Sequence, residues 1–378
     1  MPMLPRDQSV DSRILEKILD YEYLTASYKL FWFAGIFKEI IRGNQKITFK
    51  RLVCRMVASA WYPLLQYHLN FGYSDKLSSI VNLIYTKCKF DAEMKEEELL
   101  DKIENIKNTE IVKAIKGIYR FVPYRLLSPF YSDRLTGVTD KDKNSIILAL
   151  SQTTDKALYK ILLPEEAISI NDNWYCYIYK NQNIVNGWMN YKLIYFLQKK
   201  NPNVPAIPFK LSAPYQRNLN IAKKFWNIVS EQQIVNDIYS NKPLIEDNFL
   251  KYGEISIDHF IPWSFVLHDE LWNLVPTFKS INSSKSNKLP NLDLYIDNFC
   301  VMQYSAFSLL IKSTNKREYR KFLEDYLNIN KNFDLNSLIH TKNQITKNDF
   351  DESLKSTILP LYQIAYNQGY ELWQNNII

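Results

Sequence analysis

The stretch Glu254–Pro290 reads EISIDHFIPWSFVLHDELWNLVPTFKSINSSKSNKLP. Apolar residues run through EISIDHF, a strand pattern that carries Asp258 and His259 to its end. LWNLVPTF repeats the pattern with Asn273 inside it. INSSKSNKLP then predicts a short helix that starts at Asn282 and stops by Pro290. The predicted order is strand, loop, strand, helix. His259 is one of four histidines. Taken alone, a buried histidine serves structure as readily as chemistry, and an Asp-His pair is only a polar break in an apolar strand.

The rest of the chain bounds the answer. Its 378 residues exceed what one hydrophobic core comfortably holds, so two or three compact units are expected. Hydrophobic residues make up 46% and charged residues 23%, which excludes a disordered chain. A net charge of +7 is compatible with a polyanionic partner without requiring one. Cys54, Cys88, Cys176 and Cys300 lie far apart and form no zinc-binding pair, so reduced thiols in a cytoplasmic protein are expected. The first residues show no apolar signal region. The run Leu30–Phe37 is far shorter than the ~20 residues of a membrane span, so no membrane association is expected.

Along the chain the fold class reads as mainly α, with a minor β component (α+β). Residues 1–160 read as a helical domain for recognition or regulation, with helix caps expected at Asp11 or Ser12 and at Thr48. KEEELLDKIENI, residues 95–106, reads as a solvated acidic face. Arg120 and Arg125 are interleaved with Tyr119, Phe121 and Tyr124. That composition suits nucleic-acid contacts, or equally a packed loop whose arginines pair with acids. Residues 161–245 read as a mixed α/β linker region. Within it AISINDNWYCYIYKN predicts one or two strands, and the proline-rich NPNVPAIPFKLSAPYQ is the best internal linker. Residues 246–300 hold the stretch quoted above, and residues 301–378 predict helices packing on it. His68 and His340 have no acidic or cysteine neighbours in sequence and read as structural.

Asp258-His259 with Pro262, Asn273 in WNLVP, and Asn282 followed by Lys285 occur in an order and spacing that resembles the HNH endonuclease family and its ββα-metal fold. The resemblance covers about residues 250–292. It implies Asp258 and Asn282 as ligands of one divalent metal, Mg²⁺ or Mn²⁺, and Asn273 as the residue that ties the loop and orients His259. The family's frequent zinc-binding cysteines are missing, so no structural zinc is expected, and Phe260, Ile261, Trp263, Phe265 and Trp272 would hold the loop by packing. The residue types suit phosphodiester hydrolysis. Histidine titrates near neutral pH and can take a proton from water, and a hard cation can be held by one carboxylate and one amide oxygen with waters completing its shell. Lys285 and Lys288 sit where they could meet the phosphate backbone, while His268 and Asp269 read as loop residues. The expected function is a metal-dependent HNH endonuclease acting on DNA, with RNA left open, in restriction or phage defence. A homodimer and a larger defence or guide-containing complex are the assemblies left open. The alternatives are an effector nuclease silent until a partner or signal ligand binds the helical region, and a non-catalytic nucleic-acid-binding subunit.

Overall fold

The computed structural model describes residues 3–213, 217–312, 316–331, 333 and 345–375; His340 lies outside them. Helices hold 61% of the chain and strands 7%, so the fold is mainly α with a minor β component. The chain forms two compact units. The first is Met1–Pro202 with Ile207–Ala213, and the second is Asn203–Ala206 with Pro214–Ile378. The division falls in the proline-rich stretch, and residues 161–245, read above as one segment, are shared between the units.

Unit 1 is built around helices α1 (Ser12–Ile18), α2 (Tyr28–Ile41), α3 (Phe49–Trp61), α4 (Leu77–Cys88), α5 (Glu96–Glu104) and α6 (Thr109–Tyr119). It continues through α7 (Lys143–Thr153), α8 (Asp172–Lys180) and α9 (Gln182–Lys200). Asp11 caps α1 by accepting from the Arg13 amide, and Thr48 caps α3 by accepting from that of Arg51. Helices α2 and α3 bury Trp32, Phe33, Leu52, Met56 and Trp61. A three-stranded antiparallel sheet of β1 (Lys46–Thr48), β3 (Ala167–Ile170) and β2 (Tyr159–Leu162), with β3 central, packs beside them.

Two expectations are refined here. AISINDNWYCYIYKN holds one strand, Ala167–Ile170, within the expected one or two, and its remainder, Asp172–Lys180, is helical. The Asn171 side chain caps that helix at the Asn173 amide, and Trp174, Tyr177 and Ile178 fall on one buried face. Packing and the cap override the β preference of these aromatics. The acidic segment is also more than a solvated face. Glu96 meets Lys38 at 2.5 Å, Glu97 meets Arg42 and Arg55 at 2.6 Å each, and Glu104 meets Arg51 at 2.6 Å.

Behind this face Arg55 Nε bonds Glu39 at 2.6 Å, and both side chains are almost fully buried. Burial raises the Glu39 pKa. Hydrogen bonds from Arg55 and Asn44 and the charges of Arg55 and Arg51 outweigh it, so the net shift is downward from 4.5. Breaking a buried pair strands the remaining charge. Glu39→Gln is expected to destabilise unit 1 by about 3–5 kcal/mol in chemical denaturation. Because the native pKa is depressed, this contribution is complete above the ordinary value of 4.5 and is lost as pH falls through the lower native value. The acid limb of the wild-type stability curve is therefore steeper than that of Glu39→Gln.

Unit 2 holds α10 (Asn220–Gln232), the antiparallel pair β4 (Ile255–His259) and β5 (Leu274–Phe278), α11 (Lys279–Lys285), α12 (Leu292–Lys312) and α13 (Lys347–Asn367). Among the described residues α12 is the one helix long and apolar enough to cross a membrane. Here it buries Tyr295, Phe299, Cys300, Phe307 and Leu310 in the core of the unit, against residues of β4, β5 and α13.

Candidate active site

The β4–β5 register pairs Ser256 with Thr277, Asp258 with Val275 and His259 with Leu274. Helix α11 follows β5 directly and packs on both strands. The expected strand, loop, strand and helix are therefore present, with one correction. The helix begins at Lys279, so Asn282 lies within it, and it ends at Ser286 in the left-handed region (φ 47°) before Pro290 is reached.

Asn273 is fully buried in the loop. Its Oδ1 accepts from the Ile261 amide at 2.8 Å, and its Nδ2 donates to the Ile261 carbonyl at 3.0 Å. Its own carbonyl accepts from the Phe260 amide at 2.8 Å. One side chain thus satisfies both backbone groups of the turn after His259, which fixes where the strand delivers that histidine. Phe260, Ile261, Phe265 and Trp272 are buried around it, and Phe260 stacks on Phe299 with ring centroids 4.1 Å apart. Trp263 is half-buried, with the Arg217 guanidinium 5.2 Å from its ring centroid.

Adjacent residues of a strand point to opposite faces, and Asp258 and His259 take different partners accordingly. Asp258 is buried. Its Oδ2 accepts from the Tyr239 hydroxyl at 2.5 Å, and both of its oxygens lie 3.1 Å from Lys285 Nζ. Burial and the Asp258 charge push the Tyr239 phenol far above its usual pKa, so it stays a donor. His259 Nε2 lies 2.8 Å from Asp269 Oδ1. A carboxylate accepts, so Nε2 carries the hydrogen and Nδ1 is left as the basic nitrogen. Asn282 Nδ2 donates to Ser256 Oγ at 2.7 Å and to the Ile257 carbonyl at 3.1 Å. These bonds fix the amide and leave Oδ1 as its acceptor end.

Lys285 corrects the sequence reading. As a backbone-contacting lysine it should be exposed, yet its side chain is fully buried. Nζ donates to Asp258 and, at 2.7 Å, to the His259 carbonyl. Burial pulls its pKa down, and Asp258 pulls the other way without cancelling the effect. Lys288 is half-buried and lies 3.3 Å from Glu371. Arg120 and Arg125 belong to unit 1. The Arg120 guanidinium sits 5.2 Å from the Phe121 ring centroid, and Arg125 bonds Asp140 at 2.7 Å, the acid-paired alternative for that loop.

Residues 237–291 match the HNH endonuclease family. No curated protein and no solved structure matches the chain. Members of this family are nucleases that act on DNA and generally use a divalent metal. The matched HNH segment opens well before residue 250 and includes Tyr239, whose hydroxyl donates to Asp258. Tyr239 and Asp269 are the site residues that sequence reasoning missed. Asp269 had a signal, an acid in the loop shortly after His259. Tyr239 had none, because its contact spans 19 positions. His268, beside Asp269, is half-buried with its ring 5.2 Å from Trp272, and burial lowers its pKa.

Among the described residues no group of three or more His, Cys, Asp or Glu side chains could hold a metal. The HNH segment offers instead the carboxylate of Asp258 and the oriented amide oxygen of Asn282. Hard oxygen donors of this kind suit Mg²⁺ or Mn²⁺, and a cation, the Lys285 ammonium, already stands before Asp258. Removing it strands a buried carboxylate. Lys285→Met is expected to cost about 3–5 kcal/mol in denaturation experiments. Adding Asp258→Asn should restore part of that loss, whereas additive losses would mean the pair is not coupled.

Proposed function

We propose that the chain is a metal-dependent endonuclease that hydrolyses DNA phosphodiester bonds at Asp258, His259 and Asn282. The observation that carries this reading is the His259–Asp269 contact, which leaves Nδ1 as a proton acceptor inside a segment matching the HNH family. In the reaction a water oxygen attacks phosphorus, His259 Nδ1 takes the water's proton, the bond from phosphorus to the departing oxygen breaks, and that oxygen takes a proton from solvent. Asp269 is a positioning residue that holds the ring in one tautomer. Asn273 anchors the turn that presents the ring. Asp258 and Asn282 are the groups that would hold the divalent ion. When bound, that ion supplies charge neutralisation at the phosphate and the leaving oxygen. We place the reaction in the cytoplasm, in restriction or phage defence.

One observation favours the gated variant of this function. Asp258 and His259 are only 3% and 4% exposed, and the Asp258 carboxylate is closed by Tyr239 and Lys285. That arrangement suits an effector whose site opens when a partner or ligand binds.

The test is a nicking assay with purified protein and Mg²⁺ or Mn²⁺ on plasmid, linear and single-stranded DNA and on RNA. His259→Ala should lower cutting by about 10²–10⁴-fold while still melting cooperatively as a folded protein. Equal cutting by wild type and variant would sink the mechanism. Asp269→Asn should lower kcat while leaving KM in place, and Asp269→Glu should recover part of the loss. A change confined to KM would remove the positioning role. Lys285→Gln keeps a donor at Asp258 without its charge, so Mn²⁺ should bind it more tightly than wild type in calorimetry. Equal affinity would show that the ammonium does not compete with the ion.

A further inference from the structure

Unit 1 carries a 380 Å³ cavity unrelated to the HNH segment. Lys17, Lys29, Arg125 and Lys143 line it, together with the hydroxyls of Ser128 and Ser132. Among the described residues no carboxylate lines it. Asp140 reaches two of these cations from outside, bonding Arg125 at 2.7 Å and standing 3.7 Å from Lys143, and it is itself largely exposed. Lys17 Nζ lies 5.8 Å from the Tyr23 ring centroid. Lys29 is the informative residue. It is half-buried at the start of α2, and no described residue gives it an ion pair or hydrogen bond. Burial lowers its pKa, and the neighbouring Arg125 charge lowers it further.

An ammonium drawn from water beside a guanidinium is a cost to the fold. A structural lysine would have an acid in reach, as Lys38 has Glu96. Four converging cations, two hydroxyl donors and one exposed acid make a setting that a multiply charged anion would satisfy. Phosphate groups accept charge-assisted bonds from arginine, lysine and hydroxyls, and the volume accommodates a nucleotide-sized molecule.

We propose that this cavity in unit 1 is a binding site for a phosphate-bearing ligand, with Lys29 as its central cation. The site stands whether or not unit 2 cuts DNA. The phosphates could come from a free nucleotide or from a nucleic-acid backbone, and the chemistry of recognition is the same for both.

The test uses the full chain with inorganic pyrophosphate, a nucleoside triphosphate and a short single-stranded DNA, read by calorimetry and melting temperature. Lys29→Met keeps the aliphatic stem and removes the charge. In the absence of ligand this variant should melt higher than wild type, because an uncompensated cation has gone. Pyrophosphate should raise the wild-type melting temperature, and Lys29→Met should weaken its binding at least tenfold. Displacement of pyrophosphate by the oligonucleotide identifies the backbone as the source, and displacement by the triphosphate alone identifies a nucleotide. Two results overturn the proposal. One is a lower ligand-free melting temperature for Lys29→Met. The other is pyrophosphate binding that is absent or equal in both proteins. Lys143→Gln, at a half-buried helix start, gives a second variant, checked for a cooperative melt, whose pyrophosphate affinity should also fall.

Discussion

The Lys285 ammonium sits where β4, its loop and α11 meet. It touches both oxygens of Asp258 and the carbonyl of His259 and has no access to solvent. A buried carboxylate without a partner would be protonated or would unfold its surroundings. The lysine gives Asp258 a counter-charge near the end of the strand and holds the backbone of the next residue with the same group. Tyr239 completes the shell from the segment preceding the strand. The charge on which the proposed chemistry depends is therefore a property of three separate elements and not of the Asp-His dipeptide.

This arrangement also explains what the sequence could and could not reveal. The strand, loop, strand and helix order was legible because period-two apolar runs and turn residues signal it locally. The mainly helical character was legible because apolar residues recur at helical spacing, and the proline-rich stretch because proline interrupts both patterns. Lys285 was misread because lysines are almost never fully buried unless paired, and its partner lies 27 positions away in sequence. Tyr239 and Asp269 acquire roles only when the chain folds back. The helix Asp172–Lys180 was not anticipated because five of its nine residues are aromatic or β-branched, while its face is set by Trp174, Tyr177 and Ile178 meeting a core.

The same distinction applies to the basic residues of unit 1. Charge interleaved with aromatics at Arg120 and Arg125 suggested nucleic acid, and Arg125 bonds Asp140 while also lining the cavity that holds Lys29. The residue that stands out in the structure is Lys29, which the sequence places inconspicuously next to an aromatic-rich helix. A charge is informative when its surroundings fail to compensate it, and that property is invisible until neighbours are known.

A ββα element of this size cannot bury enough apolar surface to stand alone. Small domains often meet this deficit with a metal staple, and here no cysteine pair is available for one. Unit 2 meets it with helix α12 and the C-terminal segment. Gln303 Nε2 donates to the Leu271 and Leu274 carbonyls at 3.1 and 2.8 Å, tying α12 to both ends of the turn into β5. Tyr326 donates to Gln303 Oε1 at 2.7 Å and fixes that amide. After α13 the chain returns to the far end of the element. Leu289 and Trp373 exchange backbone bonds with the opposing segment at 2.8 and 2.7 Å, and the Trp373 indole donates to Ser284 on α11 at 3.0 Å. The residues after the HNH segment are therefore part of its fold in the physical sense, since they satisfy polar groups that the element leaves open. Rigidity at His259 follows from this scaffold, because a turn clamped by Asn273 and roofed by Phe299 has little freedom to misplace the ring.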